Sequence, residues 1–284
     1  MPSRFHAYWC HAQYYLQMAH NISKLYLQGN ENVLKALAVV DTELPHLIDG
    51  QAWSATNWET NQDIARLCNA YPEALADVAD LRLSFRQWIE WVEPALDAAR
   101  HLKDREDEGI HLSYLGNAYA ELGEVEQAIQ YFEQALVIDR EIQSTTNEGA
   151  DLLHLGSVYT DLVGDMPKGI ELLNQALAVA QKVGDKRLEG SVWGQLGNAR
   201  GYMGEQSQAI DCYQQALNIA QGIGDRRSQA SWLGNLATAY RAKGEPNRAI
   251  ELYEQALKFS KELGDRRNEG KHIGNIGITH YHLD

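Results

Sequence analysis

The feature that most constrains this chain is a repeat: slid against itself, its second half matches at offsets of 40 or 41 residues. Glu108-Gly109, Glu148-Gly149, Glu189-Gly190, Gln229-Ala230 and Glu269-Gly270 fall in register. Each is followed by an aliphatic residue and then a small one, at Leu115-Gly116, Leu155-Gly156, Leu196-Gly197, Leu236-Ala237 and Ile276-Gly277. Turn glycines come next, at Gly123, Gly164, Gly204 and Gly244, and after them a segment carrying Ala128, Gly169, Ala209 and Ala249. One gap completes the alignment, and it predicts a turn after Tyr159 that is one residue longer, with Val163 as the extra. A unit this short cannot bury its apolar face alone, so stacked units must share a continuous core.

The periodicity inside each unit is helical. Leu112, Leu115, Gly116 and Tyr119 recur at i, i+3, i+4 and i+7, and Ala128, Phe132, Ala135 and Leu136 form a second stripe after the turn. Small residues on facing stripes let two antiparallel helix backbones approach while large ones fill the grooves. Pro167 and Pro246 fall in a first helical turn, where a missing N–H costs little. Gly184-Asp185, Gly224-Asp225 and Gly264-Asp265 supply a left-handed residue that ends one helix and a side chain that caps the next. The expected fold class is therefore all-α: a right-handed α-solenoid of antiparallel helix pairs, preceded by a degenerate helical region.

The ladder Leu115, Gly116, Tyr119, Ala128, Phe132 and Ala135 resembles that of the tetratricopeptide repeat family, with Arg200 and His280 departing from its tyrosine position. The resemblance covers residues 108–284, divided as 108–147, 148–188, 189–228, 229–268 and a partial unit 269–284. A period near 40 implies longer helices, as in the kinesin light chain and cell-polarity adaptor subtypes. The register also runs backwards: residues 84–107, with Trp88 and Trp91, read as a degenerate half repeat kinked or delayed at Pro94. Residues 1–83 form an N-terminal helical region. There, one helix over 5–28 carries Tyr15, Met18, Ile22 and Leu25 on a stripe and stops at Gly29; two or three more follow, broken near Pro45, Gly50 and Pro72. Every tryptophan except Trp193 and Trp232 precedes the array, enough to build a separate core.

Three N-terminal strings, HAQYYL (His11 to Leu16), TELPHLIDGQAW (Thr42 to Trp53) and WIEWVEPALDAARHLKDR (Trp88 to Arg105), carry a second resemblance. They look like the stretch preceding the sensor array in signal-transduction ATPases with numerous domains, the STAND class that includes NACHT and NB-ARC proteins. That resemblance implies a ligand sensor whose ATPase module belongs to the same full-length chain, although no G-x-x-x-x-G-K-[ST] occurs here. Asp284 falls inside the first helix of a fifth unit, so the chain is expected to be a fragment or to use its last helix as a cap.

Composition narrows the function. A formal charge of −14 repels phosphate backbones and anionic lipid, so neither nucleic acid nor membrane is an expected partner. The start lacks a signal peptide, and no apolar run reaches membrane length, so a cytoplasmic location is expected. Cys10, Cys68 and Cys212 are odd in number and scattered, reading as reduced, half-buried thiols without a catalytic setting. Glu108-x-x-His111 and Asp151-x-x-His154 have a metal-ligand spacing but occupy different registers of the repeat, so no metal or cofactor is expected. No residue set supports an enzyme. Lys186-Arg187, Arg226-Arg227 and Arg266-Arg267 recur on one edge, and pairing with nearby acids such as Glu189 and Glu269 accounts for them better than an anion-binding rim.

The family resemblance implies that the first helices of the pairs line a concave groove. The groove positions it gives include Tyr114 and Asn117, His154 and Ser157, Gln195, Asn198 and Tyr202, and Asn235, Thr238 and Arg241, together with Gly194 and Gly234. Asparagine donates and accepts, so Asn117, Asn198 and Asn235 suit the backbone of an extended peptide; equally, they suit bonds to their own neighbours. Only Arg241 and Lys271 are basic at these positions, which argues against a carboxylate clamp. The expected function is recognition of a protein or peptide in that groove for a STAND-type switch. A free-standing scaffold bridging protein partners and a small-molecule sensor are the alternatives.

Overall fold

The computed structural model describes residues 3–29, 31–79 and 81–281. Among them are thirteen α-helices and no strand, grouped into two compact units, residues 1–144 and 145–284.

The first unit contains α1 (Arg4–Leu27), α2 (Glu31–Asn57), α3 (Gln62–Ala79), α4 (Phe85–Leu102), α5 (Arg105–Glu121) and α6 (Val125–Ile142). Ser3 caps α1 by accepting from His6 N–H, and Gly29, at φ 70°, takes the left-handed conformation that ends it. Ala12, Ala19, Ile22, Leu47, Tyr71, Leu75 and Trp91 are buried together, with Tyr15, Met18 and Leu25 packed against them. Buried polar side chains tie helices together: Tyr71 Oη donates to Ala12 O (2.7 Å) and Ser23 Oγ to Ala74 O (2.9 Å).

The breaks expected near Pro45, Gly50 and Pro72 do not occur: α2 runs through the first two and α3 through the third. Pro45 is exposed, as is Asp41, whose carbonyl the proline leaves without a helical donor, so the missing bond falls at the surface and not in the core. Gly50 is a packing glycine, because a β-carbon there would collide with the Tyr71 hydroxyl and stand 3.3 Å from Ala12 Cα. The real breaks are the turn after Leu27, a 3₁₀ turn at Trp58–Thr60, and the segment before Ser84. Ser84 opens α4 with a reciprocal capping box to Gln87, and Pro94 stands inside that helix, which starts nine residues before it.

The second unit contains α7 (Thr145–Val158), α8 (Met166–Val183), α9 (Lys186–Tyr202), α10 (Gln206–Gly222), α11 (Arg226–Ala242), α12 (Pro246–Glu262) and α13 (Arg266–Tyr281). Asp185, Asp225 and Asp265 accept from the backbone N–H of Leu188, Ser228 and Asn268, and Gly184, Gly224 and Gly264 have positive φ, so the predicted caps are those found. The extra residue, however, does not lengthen a turn. It is absorbed as a π-helical turn over Tyr159–Val163 that continues α7. This turn places Thr160 against α8 so closely that a β-carbon at Gly169 would overlap its methyl group and stand 2.9 Å from Gly156 O. The glycine that replaces the ladder alanine at position 169 thus meets the π-turn at one close contact.

Each first helix meets its second helix through a small residue facing a large one. A β-carbon at Gly116 would stand 2.9 Å from the Phe132 ring, at Gly156 2.9 Å from Leu173, and at Gly197 2.6 Å from Tyr213.

Candidate functional site

Tyr114 and Asn117 lie on α5 of the first unit; His154 and Ser157 on α7, Gln195, Asn198 and Tyr202 on α9, and Asn235, Thr238 and Arg241 on α11 of the second. In the second unit, successive first helices touch one another, α7 with α9, α9 with α11 and α11 with α13. Asn198 is the hub of a hydrogen-bonded row there. Its Nδ2 donates to Gln195 Oε1 (2.6 Å), while its Oδ1 accepts from Asn235 Nδ2 (3.2 Å) and from the Tyr213 hydroxyl of α10 (2.7 Å). Thr238 Oγ1 donates to Gly234 O (3.0 Å), four residues back, and lies 2.8 Å from Tyr253 Oη of α12; Ser157 Oγ donates to Leu153 O (2.9 Å) in the same way. Tyr202, at the end of α9, is 63% exposed. Arg241 carries a buried Nη1 with no hydrogen-bond partner.

The electrostatics differ between the two units. In the second, burial holds the His154 imidazole down to about 4, so it is neutral at pH 7. Burial also raises the Asp161 carboxyl, against a hydrogen bond from Thr160, and the Tyr202 hydroxyl is raised by burial and then by the charge of Asp161. In the first, burial and then Glu73, Asp77 and Asp107 push the Tyr114 hydroxyl up. Asp107 itself is raised to about 6 by burial and by Asp104. Asn69 connects it to the interior, donating to Asp107 while its Oδ1 pairs with His111 Nε2 (2.7 Å). His111 is buried and held down to about 4.

Two family models, both described as tetratricopeptide repeat, match the sequence, one over residues 150–222 and 208–262 and the other over 111–141. The chain carries tetratricopeptide repeats. No curated protein sequence matches it. Among solved structures it is similar to a Rap protein complexed with Competence and Sporulation Factor (14% identity, TM-score 0.67), covering 92% of this chain and 79% of that one. It is similar also to BtubC from P. vanneervenii (19%, 0.58; 75% and 92%). A third relative is a Signal Transduction ATPase with Numerous Domains protein with a tetratricopeptide repeat sensor, from Pyrococcus horikoshii (18%, 0.62). The match covers 95% of this chain and 43% of that one, so the chain spans less than half of that protein. At these identities the likeness is one of fold, and the all-α repeat fold expected from the sequence is the one found.

Two expectations need correction within the tetratricopeptide frame. Gly194 and Gly234 are not open groove floor: a β-carbon at Gly194 would collide with the Trp232 indole, and one at Gly234 would stand 2.5 Å from His272 Cε1. Each glycine is a notch for an aromatic ring of the next first helix. The signal was present, since Trp232 and His272 each lie 38 positions after their glycine. The thiols, expected to be half-buried alike, differ: Cys10 is exposed, Cys68 buried and Cys212 between. Burial pushes the Cys68 thiol up to about 12, so it is no nucleophile at neutral pH. The basic residues opening α9 and α11 pair with acids, Lys186 with Glu189 (2.6 Å), Arg187 with Asp225 (3.8 Å) and Arg226 with Glu262 (3.1 Å). No helix among the described residues is long and apolar enough to cross a membrane.

Proposed function

We propose that this chain is a non-catalytic sensor module of a STAND-type switch that recognises a protein or peptide along the first helices of its repeats. The observation that carries the reading is the linked row Gln195, Asn198 and Asn235. An amide has both donors and an acceptor, and each of these has part of that capacity fixed by its neighbour, which orients what is left. Pre-oriented amides on two successive first helices, Gln195 and Asn198 on α9 and Asn235 on α11, offer donors and acceptors to the N–H and C=O groups of an extended backbone. Tyr202 and Arg241 flank the row, and Tyr114, Asn117, His154, Ser157 and Thr238 are the corresponding positions of the other repeats. One similar structure is a Rap protein complexed with Competence and Sporulation Factor and another is a STAND protein with a tetratricopeptide repeat sensor, which supports the same reading here.

The test begins with selection of binding peptides from a displayed random library. Alanine at Asn117, Asn198 and Asn235 together should weaken the selected peptides at least tenfold while the far-ultraviolet spectrum is unchanged. Undiminished binding by the triple variant would place recognition elsewhere. The STAND assignment is tested separately: a P-loop ATPase encoded upstream in the same reading frame supports it, and a stop codon in frame before Met1 with no such module sinks it.

A further inference from the structure

In the second unit, successive first helices lock together by a ring in a glycine notch, Trp232 against Gly194 and His272 against Gly234. In the first unit the corresponding pairing has different chemistry. The residue 38 positions before His111 is Glu73, so the His111 ring has no notch to enter, and it bonds Asn69 instead. Asn69, Glu73 and Asp77 form a polar stripe at every fourth position of α3, and Asp107, His111 and Tyr114 form another at i, i+4 and i+7 of α5. Asn69 bridges the two, donating to Asp107 and accepting from His111 Nε2 (2.7 Å).

That bridge fixes what the cleft can offer. Because the Asn69 amide donates to Asp107, its oxygen is the end that meets His111, so Nε2 carries the imidazole proton and Nδ1 is a bare acceptor. His111 is only 1% exposed, and Nδ1 has no hydrogen-bond partner. The charges that act here share one sign: Asp104, Glu73 and Glu106 on Asp107, and Glu73, Asp77 and Asp107 on Tyr114. The arginines of α3 and α5 are held by other carboxylates, Arg66 by Asp63 (3.1 Å) and Arg105 by Glu108 and Glu141. A cleft of acceptors and negative charge beside an aromatic ring calls for a ligand with positive charge and several N–H groups. A guanidinium carries five in one plane and stacks on aromatic faces, whereas an ammonium is a point charge.

We propose that the cleft between α3 and α5 binds a guanidinium, the arginine side chain of a protein or peptide ligand, with Glu73 and Asp107 as its carboxylate partners, His111 Nδ1 as the buried acceptor and Tyr114 as the ring beside it. This rests on the reading of the chain as a protein or peptide binder and adds the residue type that it selects. It uses no residue of the amide row, so each can fail alone.

The probes are two peptides, acetyl-Ala-Ala-Arg-Ala-Ala-amide and its counterpart with glutamine at the centre, titrated into the full chain and followed by NMR of labelled histidine. We expect saturable binding of the arginine peptide, at least tenfold tighter than that of the glutamine peptide, with a shift of the His111 resonance. The double variant Glu73→Gln and Asp107→Asn, which keeps shape and removes charge, should weaken it at least tenfold. Glu73→Gln alone, at an exposed position, serves as the blocking variant should the double one melt abnormally. The Asn117, Asn198 and Asn235 alanine variant should bind the arginine peptide normally, and the amide row is judged separately, by the selected peptides. No saturable binding, equal binding of the two peptides, or binding untouched by the blocking variants overturns the proposal.

Discussion

Two regions of the molecule, residues 1–102 and the repeats from Arg105 onward, solve the same problem, holding helices side by side, with different materials. The first uses bulk: Tyr71 and Trp91 are buried in it, and hydroxyl-to-carbonyl bonds such as Tyr71 to Ala12 and Ser23 to Ala74 tie its helices. The second uses fit, with glycines and alanines set against single rings, Gly197 on Tyr213 and Gly194 under Trp232. A core of large side chains is damaged most by removing volume, and a core of notches most by adding it. Tryptophan emission separates the two, because five of the seven indoles, Trp9, Trp53, Trp58, Trp88 and Trp91, belong to the first unit.

The largest expected effect is therefore a deletion in the first unit. Trp91→Ala empties a buried site packed on Tyr71 and should cost about 3–5 kcal/mol in a urea melt followed by tryptophan emission. A cost below that of the second-unit substitutions would break the contrast.

Overfilling comes next. Gly197→Leu puts a branched side chain where the Tyr213 ring already crowds the β-position, and Gly169→Ala drives a methyl group into Thr160; each should cost about 1–3 kcal/mol by circular dichroism. The second case can be sharpened. Deleting Val163 returns the π-turn to α-helical register and draws Thr160 away from α8, so Gly169→Ala should cost clearly less in that background. Equal costs in both backgrounds would disconnect the glycine from the insertion. Gly222→Leu is the control: that glycine ends α10 at an exposed position with open space around it, and leucine should change stability by a few tenths of a kcal/mol at most.

This contrast also explains what could be read in advance. In the second unit the repeat gave each boundary several independent chances to show itself, so caps at Asp185, Asp225 and Asp265 and stripes through Leu196 and Leu236 agreed. What it concealed was partner identity. Small residues on the facing stripes let two backbones approach in the sequence reading, whereas at Gly197 the ring of Tyr213 on α10 occupies the notch. Val163 read as a longer turn because counting residues cannot distinguish a loop from a π-turn. Over residues 1–83 no second copy existed to compare with, and Pro45, Gly50 and Pro72 read as breaks on local propensity alone. Local propensity is a weak guide where packing against neighbouring helices decides, as Gly50 against Tyr71 shows. The family ladder assigned positions for the proposed groove but no connectivity, since the bond from Asn235 to Asn198 spans successive repeats.

The smallest expected effect tests the contrast at its finest grain, in five equivalent residues that end helices. Lys103, Gln143, Gly184, Gly224 and Gly264 all take the left-handed conformation, at φ 58°, 59°, 77°, 72° and 64°. In the second unit the residue is glycine each time; in the first it is a side chain that pushes its β-carbon toward the following carbonyl, at about 1–2 kcal/mol. Both Lys103 and Gln143 are exposed, and the bonds that define the cap come from the backbone, Lys103 N–H to Arg100 O and Gln143 N–H to Asp139 O, so glycine keeps them. Against the relief of strain stands the greater freedom of glycine in the unfolded chain, about 0.5–1 kcal/mol. Lys103→Gly and Gln143→Gly should thus each stabilise the first unit by about 0.5–1 kcal/mol. The reverse exchange, Gly184→Lys, should destabilise the second unit by a similar amount. If the first two substitutions are neutral or harmful while Gly184→Lys is tolerated, the irregular unit is not strained at its caps, and its departure from the repeat carries no cost there.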